Sequence, residues 1–174
     1  AAMTSAAAFE LVAHGLGRAR DGTPLTACPL DPAQAEALGA IFAAMDPWAS
    51  YPYRAAGIAR YLAGGTADAP VFAIMADSHI AGVIGLRADW LLGPYIQFLA
   101  VKTEHHGEGI GGRAMEWVEG EARRVSARNL WVAASDFNAG ALRFYERHGF
   151  SRVADLPALV RDDRTEVLLR KRLL

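Results

Sequence analysis

A chain of 174 residues and 18.7 kDa with 52% hydrophobic residues is long enough for one domain with a sizeable core, and a formal net charge of −1 excludes a general attraction to nucleic acid. Cys28 is the only cysteine, which excludes an internal disulfide, and Arg87, Asp89, Gly93 and Pro94 interrupt the longest apolar stretch well short of a membrane-spanning helix. The first nine residues lack the basic region and apolar core of a secretory leader, so the reading is a cytoplasmic protein, with Ala1-Ala2 ahead of Met3 as a remnant of an expression vector.

Residues 3–23 carry Gly15, Gly17 and Gly22 with little periodicity and read as an extension, residues 1–23 in all, with at most one short element ahead of a domain over 24–174. Leu25 to Leu30 reads as a first strand. Asp31-Pro32 then supplies an N-cap and a first helical residue for a helix to about Met45, which Asp46-Pro47 ends. Trp48 to Tyr53 is an aromatic, proline-pinned loop, and Arg54 to Ala63 resumes helical character before Gly64-Gly65. Val71 to Ala76 and His79 to Ala88 read as a hairpin turning at Asp77-Ser78.

Gly93-Pro94 leads into a strand over 95–102, on which alternation places Tyr95, Gln97, Leu99 and Val101 on one face and Ile96, Phe98 and Ala100 on the other. Ile110, Ala114, Trp117, Val118, Ala122 and Val125 recur at helical spacing and predict a helix over 110–126 with Trp117 in the core. Asn129 to Ala134 is a further strand. A short helix follows Asn138, ended by Gly149 as a left-handed C′ residue with Phe150 as its hydrophobic contact, and two closing strands flank the loop 156–164. The order β-α-α-β-β-β-α-β-α-β-β predicts a single α/β (α+β) domain, a mixed and mostly antiparallel twisted sheet of about six or seven strands with helices on both faces.

Two stretches carry chemistry. After the strand that ends near 102, Glu104-His105-His106-Gly107-Glu108-Gly109-Ile110-Gly111-Gly112-Arg113 brings four glycines to the start of a helix. Backbone N–H groups can converge there without Cβ obstruction, a site for a phosphate-like anion. No Lys-Ser/Thr pair follows, unlike a P-loop, and the loop lies too deep in the chain for a dinucleotide fingerprint. The second stretch is Asn138-Ala-Gly-Ala141-Leu-Arg-Phe144-Tyr145-Glu-Arg-His-Gly149-Phe150.

Together these blocks resemble the GNAT superfamily of acetyl-CoA-dependent N-acetyltransferases. The family's Arg/Gln-x-x-Gly-x-Gly/Ala signature reads here from His106 to Gly111, and its Asn-x-x-Ala-x-x-Phe-Tyr-x-x-x-Gly-Phe pattern from Asn138 to Phe150. The resemblance implies a sheet with a splayed central strand pair and acetyl-CoA as co-substrate, with no metal. It places the cofactor pyrophosphate on His106, Gly107, Glu108, Gly109, Ile110, Gly111 and Gly112, and the pantetheine arm along the backbone of Leu99, Ala100 and Val101 with Asn138 beside it. Tyr145 takes the role of acid to the departing thiolate. The acceptor is expected between Trp48, Tyr51, Tyr53, Tyr95, Gln97 and the loop Arg161 to Arg164.

The implied activity is transfer of acetyl to a primary amine of a small molecule by direct attack, in a monomer or homodimer. The alternatives are a protein lysine or N-terminal acceptor, or a non-catalytic acyl-CoA sensor. An alkylammonium with a pKa near ~10.4 must lose a proton before it can attack, and the glutamate that some members carry on the strand over 95–101 is absent. Ordered water or a carboxylate of Asp46, Asp162 or Asp163 is left as the base. His106 stands where arginine or glutamine is usual, so the cradle relies on backbone N–H groups, while His79, His105 and His148 are read as surface residues.

Overall fold

The structure, a computed structural model, describes residues 8–174; the two residues read as a vector remnant lie outside them. Strands β1 (His14–Arg18) and β2 (Pro24–Pro29) precede helices α1 (Ala35–Ala43) and α2 (Ala55–Ala63). Then come β3 (Val71–Ala76), β4 (His79–Arg87), β5 (Tyr95–Val101), α3 (Ile110–Arg124), β6 (Asn129–Ser135), α4 (Ala139–Arg147), β7 (Ser151–Pro157) and β8 (Thr165–Arg172). One eight-stranded sheet runs β1-β2-β3-β4-β5-β6-β8-β7, antiparallel throughout except between β5 and β6. The expected count of six or seven is therefore short by β1, which comes from the glycine-containing stretch before residue 24 and pairs with β2 from His14↔Ala27.

Helices cover both faces. On one, Leu38 and Phe42 of α1 and Ile58 and Leu62 of α2 pack onto Val71, Ala73, Val83, Phe98 and Ala100. On the other, Ile110, Ala114, Met115, Val118 and Ala122 of α3 and Tyr145 of α4 pack onto Ile74, Ile84, Leu86, Leu130, Val132 and Leu169. The α3 residues recur at the spacing of one helical stripe, and each fully buried aliphatic or aromatic side chain contributes about 1.5–3 kcal/mol. Trp117 flanks that stripe, half-buried, with its ring 5.5 Å from Phe9 and 5.2 Å from Phe72. Asp31 caps as expected, accepting from Ala33 N at 3.0 Å, but it opens a 3-10 turn at Pro32–Gln34, and the α-helix begins only at Ala35.

The sheet is interrupted at one point. Opposite β4, Phe98 pairs with Gly85 and Ile96 with Leu86, so Gln97 has no partner and forms a β-bulge. The extra residue reverses the side-chain alternation. Ile96 joins the α3 face, against which Leu99 and Val101 also pack, whereas Phe98 and Ala100 join the α1–α2 face. This corrects the single-period reading of the strand, which grouped Ile96 with Phe98 and Ala100.

At the end of α4, Gly149 takes φ +86° as the C′ residue, its N–H donates to Glu146 O at 3.0 Å, and Phe150 N–H donates to Tyr145 O at 3.0 Å. This is a Schellman closure, and its hydrophobic contact is between the rings of Phe150 and Tyr145, 5.6 Å apart. The closure therefore fixes the ring of Tyr145. Gly149→Ala forces a Cβ into the left-handed region, so unfolding in urea is expected to lose about 1–2 kcal/mol of stability. A midpoint equal to wild type would contradict the assignment.

Candidate active site

The parallel pair β5–β6 is registered at only two positions, Tyr95↔Trp131 and Ile96↔Val132, after which the strands part. Lys102 N–H donates to Ala81 O on β4 at 2.8 Å. By strand alternation Ala100 also turns its backbone groups to β4, while Leu99 and Val101 turn theirs into the gap. A strand edge thus lies exposed in the middle of the sheet, of the kind that an extended ligand can pair with.

At one end of this gap stands the N-terminus of α3. Gly107 and Gly109 have φ +81° and +80°, conformations that disfavour side chains, and Gly109 occupies the N-cap with no side-chain cap bond. The first helical bond runs from Arg113 N to Gly109 O, 3.1 Å, so the N–H groups of Ile110, Gly111 and Gly112 have no acceptor within the helix. They open into a cavity of ≈ 470 Å³ whose rim carries Arg20, Arg113 and Arg147 with His105, His106 and His148. A Cβ on Gly111 would meet the Phe144 ring at 3.3 Å, so the cradle is closed to side chains by its own wall. Unpaired N–H groups, a helix N-terminus and a cationic rim suit a pyrophosphate.

Arg20, in the turn between β1 and β2, braces the loop: its backbone N–H donates to Glu108 O at 2.9 Å and its Nη1 to Gly107 O at 2.8 Å. Arg113 Nε donates to Arg18 O at 3.0 Å. His106 turns its ring back, Nε2 lying 2.8 Å from Val101 O, so it fixes the carbonyl at the head of the exposed edge. Burial holds the His148 imidazole below its ordinary pKa, with Lys171 and Arg147 adding to the effect.

At the other end lies a cavity of ≈ 180 Å³ lined by Trp48, Tyr51, Tyr53, Tyr95, Gln97, Leu99, Asn138, Tyr145 and Glu166 among others. A second cavity of ≈ 310 Å³ adjoins it through Trp48, Tyr53, Tyr95 and Gln97 and is closed by Tyr61. All five tyrosines of the chain therefore face one site. Burial raises every phenol: Tyr51 is pushed up to about 12, with its bond to Glu166 adding to burial, and Tyr53, Tyr61, Tyr95 and Tyr145 move the same way. Tyr61 is packed so closely on Gly85 that any Cβ there would collide with its hydroxyl.

Of the residues read from the sequence, Val101, His106, Gly107, Gly109, Ile110, Gly111 and Gly112 line the cradle, and Leu99, Asn138, Tyr145, Trp48, Tyr51, Tyr53, Tyr95 and Gln97 line the tyrosine cavity. Ala100 lines neither. Glu108 presents its carbonyl to Arg20, while its carboxylate meets His105 Nδ1 at 3.0 Å. Asn138 Oδ1 accepts from Ala141 N at 3.1 Å and so caps α4. The loop after β7 contributes Leu159 and Val160 to the wall, and Arg161 instead ties it to Ser50 O at 3.0 Å. His105 and His148, read as surface residues, lie on the cradle rim.

Asp46, Asp162 and Asp163 are not in the wall; Asp46 accepts from Ser50 and Asp163 pairs with Arg161. The carboxylate in the cavity is Glu166, 8% exposed, which sequence reading missed although an acid beside Val167-Leu168-Leu169 in an apolar strand was a visible signal. Tyr51 O–H donates to its Oε1, and Ser135 O–H donates to its Oε2 at 3.3 Å. Arg20 was missed too, because it acts through backbone contacts between distant turns. Among the described residues no group of three or more His, Cys, Asp or Glu side chains is placed to hold a metal ion, and no helix is long and apolar enough to cross a membrane.

The model of the acetyltransferase (GNAT) family matches residues 35–150, and the chain belongs to that family. It is similar to an acetyltransferase of Agrobacterium fabrum, 33% identical over 84 residues that make up 48% of this chain and 58% of that protein. Streptothricin acetyltransferase of Streptomyces lavendulae is 33% identical over 90 residues, 51% of this chain and 48% of that protein. The chain thus spans about half the length of these curated relatives. Among solved structures, the yncA protein of Salmonella typhimurium, determined with its cofactor acetyl-CoA, superposes with a TM-score of 0.67 at 19% identity over 86% of this chain and 94% of that one, which shows the shared fold.

The tyrosines make an alkaline prediction. A phenol whose folded pKa is raised contributes stability that is complete below the unfolded value near ~10 and is lost as pH rises through the folded value. For Tyr51 that window is from about 10 to about 12. Absorbance titration near ~295 nm is expected to show phenolate appearing above pH ~10 only as denaturant midpoints fall. Five phenols ionising near pH ~10 in the folded protein would contradict the burial described.

Proposed function

We propose that this protein is an acetyl-CoA-dependent N-acetyltransferase that moves acetyl to a primary amine of a small molecule by direct attack of the amine on the thioester. The observation that carries the reading is two cavities set at the two ends of one exposed strand edge. The unpaired N–H groups of α3 lie in the first, Tyr145 lines the second, and the backbone of Leu99 and Val101 in the β5–β6 gap runs from one towards the other.

The residues divide the work. Ile110, Gly111 and Gly112 offer fixed N–H donors to the pyrophosphate, with the guanidinium groups of Arg20, Arg113 and Arg147 around them. Leu99 and Val101 hold the pantetheine arm as an added strand, which carries the thioester between β5 and β6. A phenol is protonated at neutral pH even at its ordinary pKa near ~10, and burial moves that of Tyr145 further up, so the phenolic oxygen holds a proton for the departing sulfur. A thiol with a pKa near ~8.5 is a tolerable leaving group, so this acid accelerates the step without being indispensable.

The acceptor lies between Trp48, Tyr51, Tyr53, Tyr95 and Gln97. Two adjoining cavities of ≈ 180 and ≈ 310 Å³ with aromatic walls suit a compact amine that carries apolar or cationic bulk. The name of the Streptomyces relative, streptothricin acetyltransferase, supports a small-molecule acceptor over a protein one.

Purified protein is to be incubated with acetyl-CoA and a panel of phenethylamine, benzylamine, lysine, spermidine and an N-terminal alanine peptide, with free thiol followed and products weighed by mass spectrometry. Acetylation of a small amine is expected; thiol release no faster than in the amine-free control would overturn the reading. Tyr145→Phe should lower kcat by on the order of 10²-fold with CoA affinity nearly unchanged. If turnover is unaffected, Tyr145 is a packing residue.

A further inference from the structure

We propose that Glu166 receives the acceptor as an ammonium ion and takes its proton, so that β8 supplies the base that β5 lacks. The proposal deepens the acetyltransferase reading and rests on it. Glu166 stands opposite Ser135 of β6 and Leu156 of β7 in the sheet register, with its carboxylate in the wall of the tyrosine cavity. Tyr51 and Ser135 each donate a hydroxyl to one of its oxygens, leaving each oxygen a further lone pair.

No cationic side chain among the described residues is paired with it. From the aromatic loop it faces Tyr51 and Tyr53, from β5 Tyr95, and from β6 Ser135, with Asp136 beside Tyr51. No ion pair to Glu166 forms among the described residues. The two arginines nearest in sequence, Arg164 and Arg170, lie against the rings of Phe137 at 5.0 Å and Trp131 at 5.7 Å. A buried carboxylate whose partners are hydroxyl donors alone has no opposite charge beside it, and a cation entering the cavity supplies one. Tyrosine faces on the same walls add to the attraction.

The cation also sits where the chemistry requires it, because Glu166 and Tyr145 line one cavity and the parted strands open between them. Glu166 takes one proton from the ammonium, and the free amine attacks the thioester carbonyl. The C–N bond forms and the C–S bond breaks. The sulfur takes the phenolic proton of Tyr145, and Tyr145 regains one from the attacking nitrogen. Glu166 then releases its proton to solvent, so one amide, one thiol and one proton leave for each ammonium consumed.

The test uses the best small amine of the panel above. Glu166→Gln keeps the size and an oxygen acceptor for Tyr51, so melting temperature and CoA affinity should stay at wild-type values. At neutral pH kcat/KM should fall by on the order of 10²–10⁴-fold. In the variant log kcat/KM should climb by about one per pH unit towards the amine's own pKa near ~10, because only free amine reacts, while wild type levels off earlier. Glu166→Asp, which keeps the carboxylate, should recover part of the lost rate. If Glu166→Gln works within about threefold of wild type, or loses rate with an unchanged pH profile, Glu166 only positions Tyr51 and the proposal is overturned. Wild type inactive on every amine would overturn the acetyltransferase reading itself, and this assignment with it.

Discussion

The structure depends on one missing interaction, the backbone pairing that β5 and β6 give up beyond Ile96 and Val132. The unpartnered Gln97 is the local cause. By adding one residue to β5 it increases the strand's bend and twist, and the parallel ladder ends beside it. A gap in a sheet leaves polar backbone groups without partners, which is costly when they are buried. Here the Leu99 and Val101 edge opens into the gap, and His106 secures the Val101 carbonyl. The same parting makes room for Tyr145, whose ring the Gly149–Phe150 closure holds from behind.

Between the two cavities the electrostatics change sign. Arginines and a helix N-terminus surround the cradle, whereas the far cavity holds a carboxylate among neutral phenols. A net charge of −1 conceals this division. On the proposed reading, this division would draw an anionic cofactor and a cationic acceptor to opposite ends of the gap between β5 and β6.

The sequence revealed those features that rest on local backbone physics. Glycines at 107 and 109, and Gly149 followed by Phe150, each specify a conformation with neighbours in the chain, and each takes the backbone conformation read for it; the capping bond of Asn138 to Ala141 N was not read, although it too is local. The bulge was not legible, because Tyr95 to Val101 alternates acceptably in either register and only β4 reveals that Gln97 has no partner. Glu166 escaped notice for a similar reason. Its partners Tyr51 and Ser135 lie 115 and 31 residues away, and the apolar run Val167-Leu168-Leu169 beside it was the one local signal of burial. Arg20 and β1 belong to the same class, long-range partners of a loop whose own glycines had already explained it.

The central claim is that the cofactor lies in the gap between β5 and β6 with its pyrophosphate on α3. Amide hydrogen exchange with and without CoA tests it most directly. The amides of Leu99, Val101, Ile110, Gly111 and Gly112 should slow markedly on binding, while Ala100, already directed to β4, changes little. CoA binding that leaves those five amides unchanged, or protects a different surface, would contradict the account.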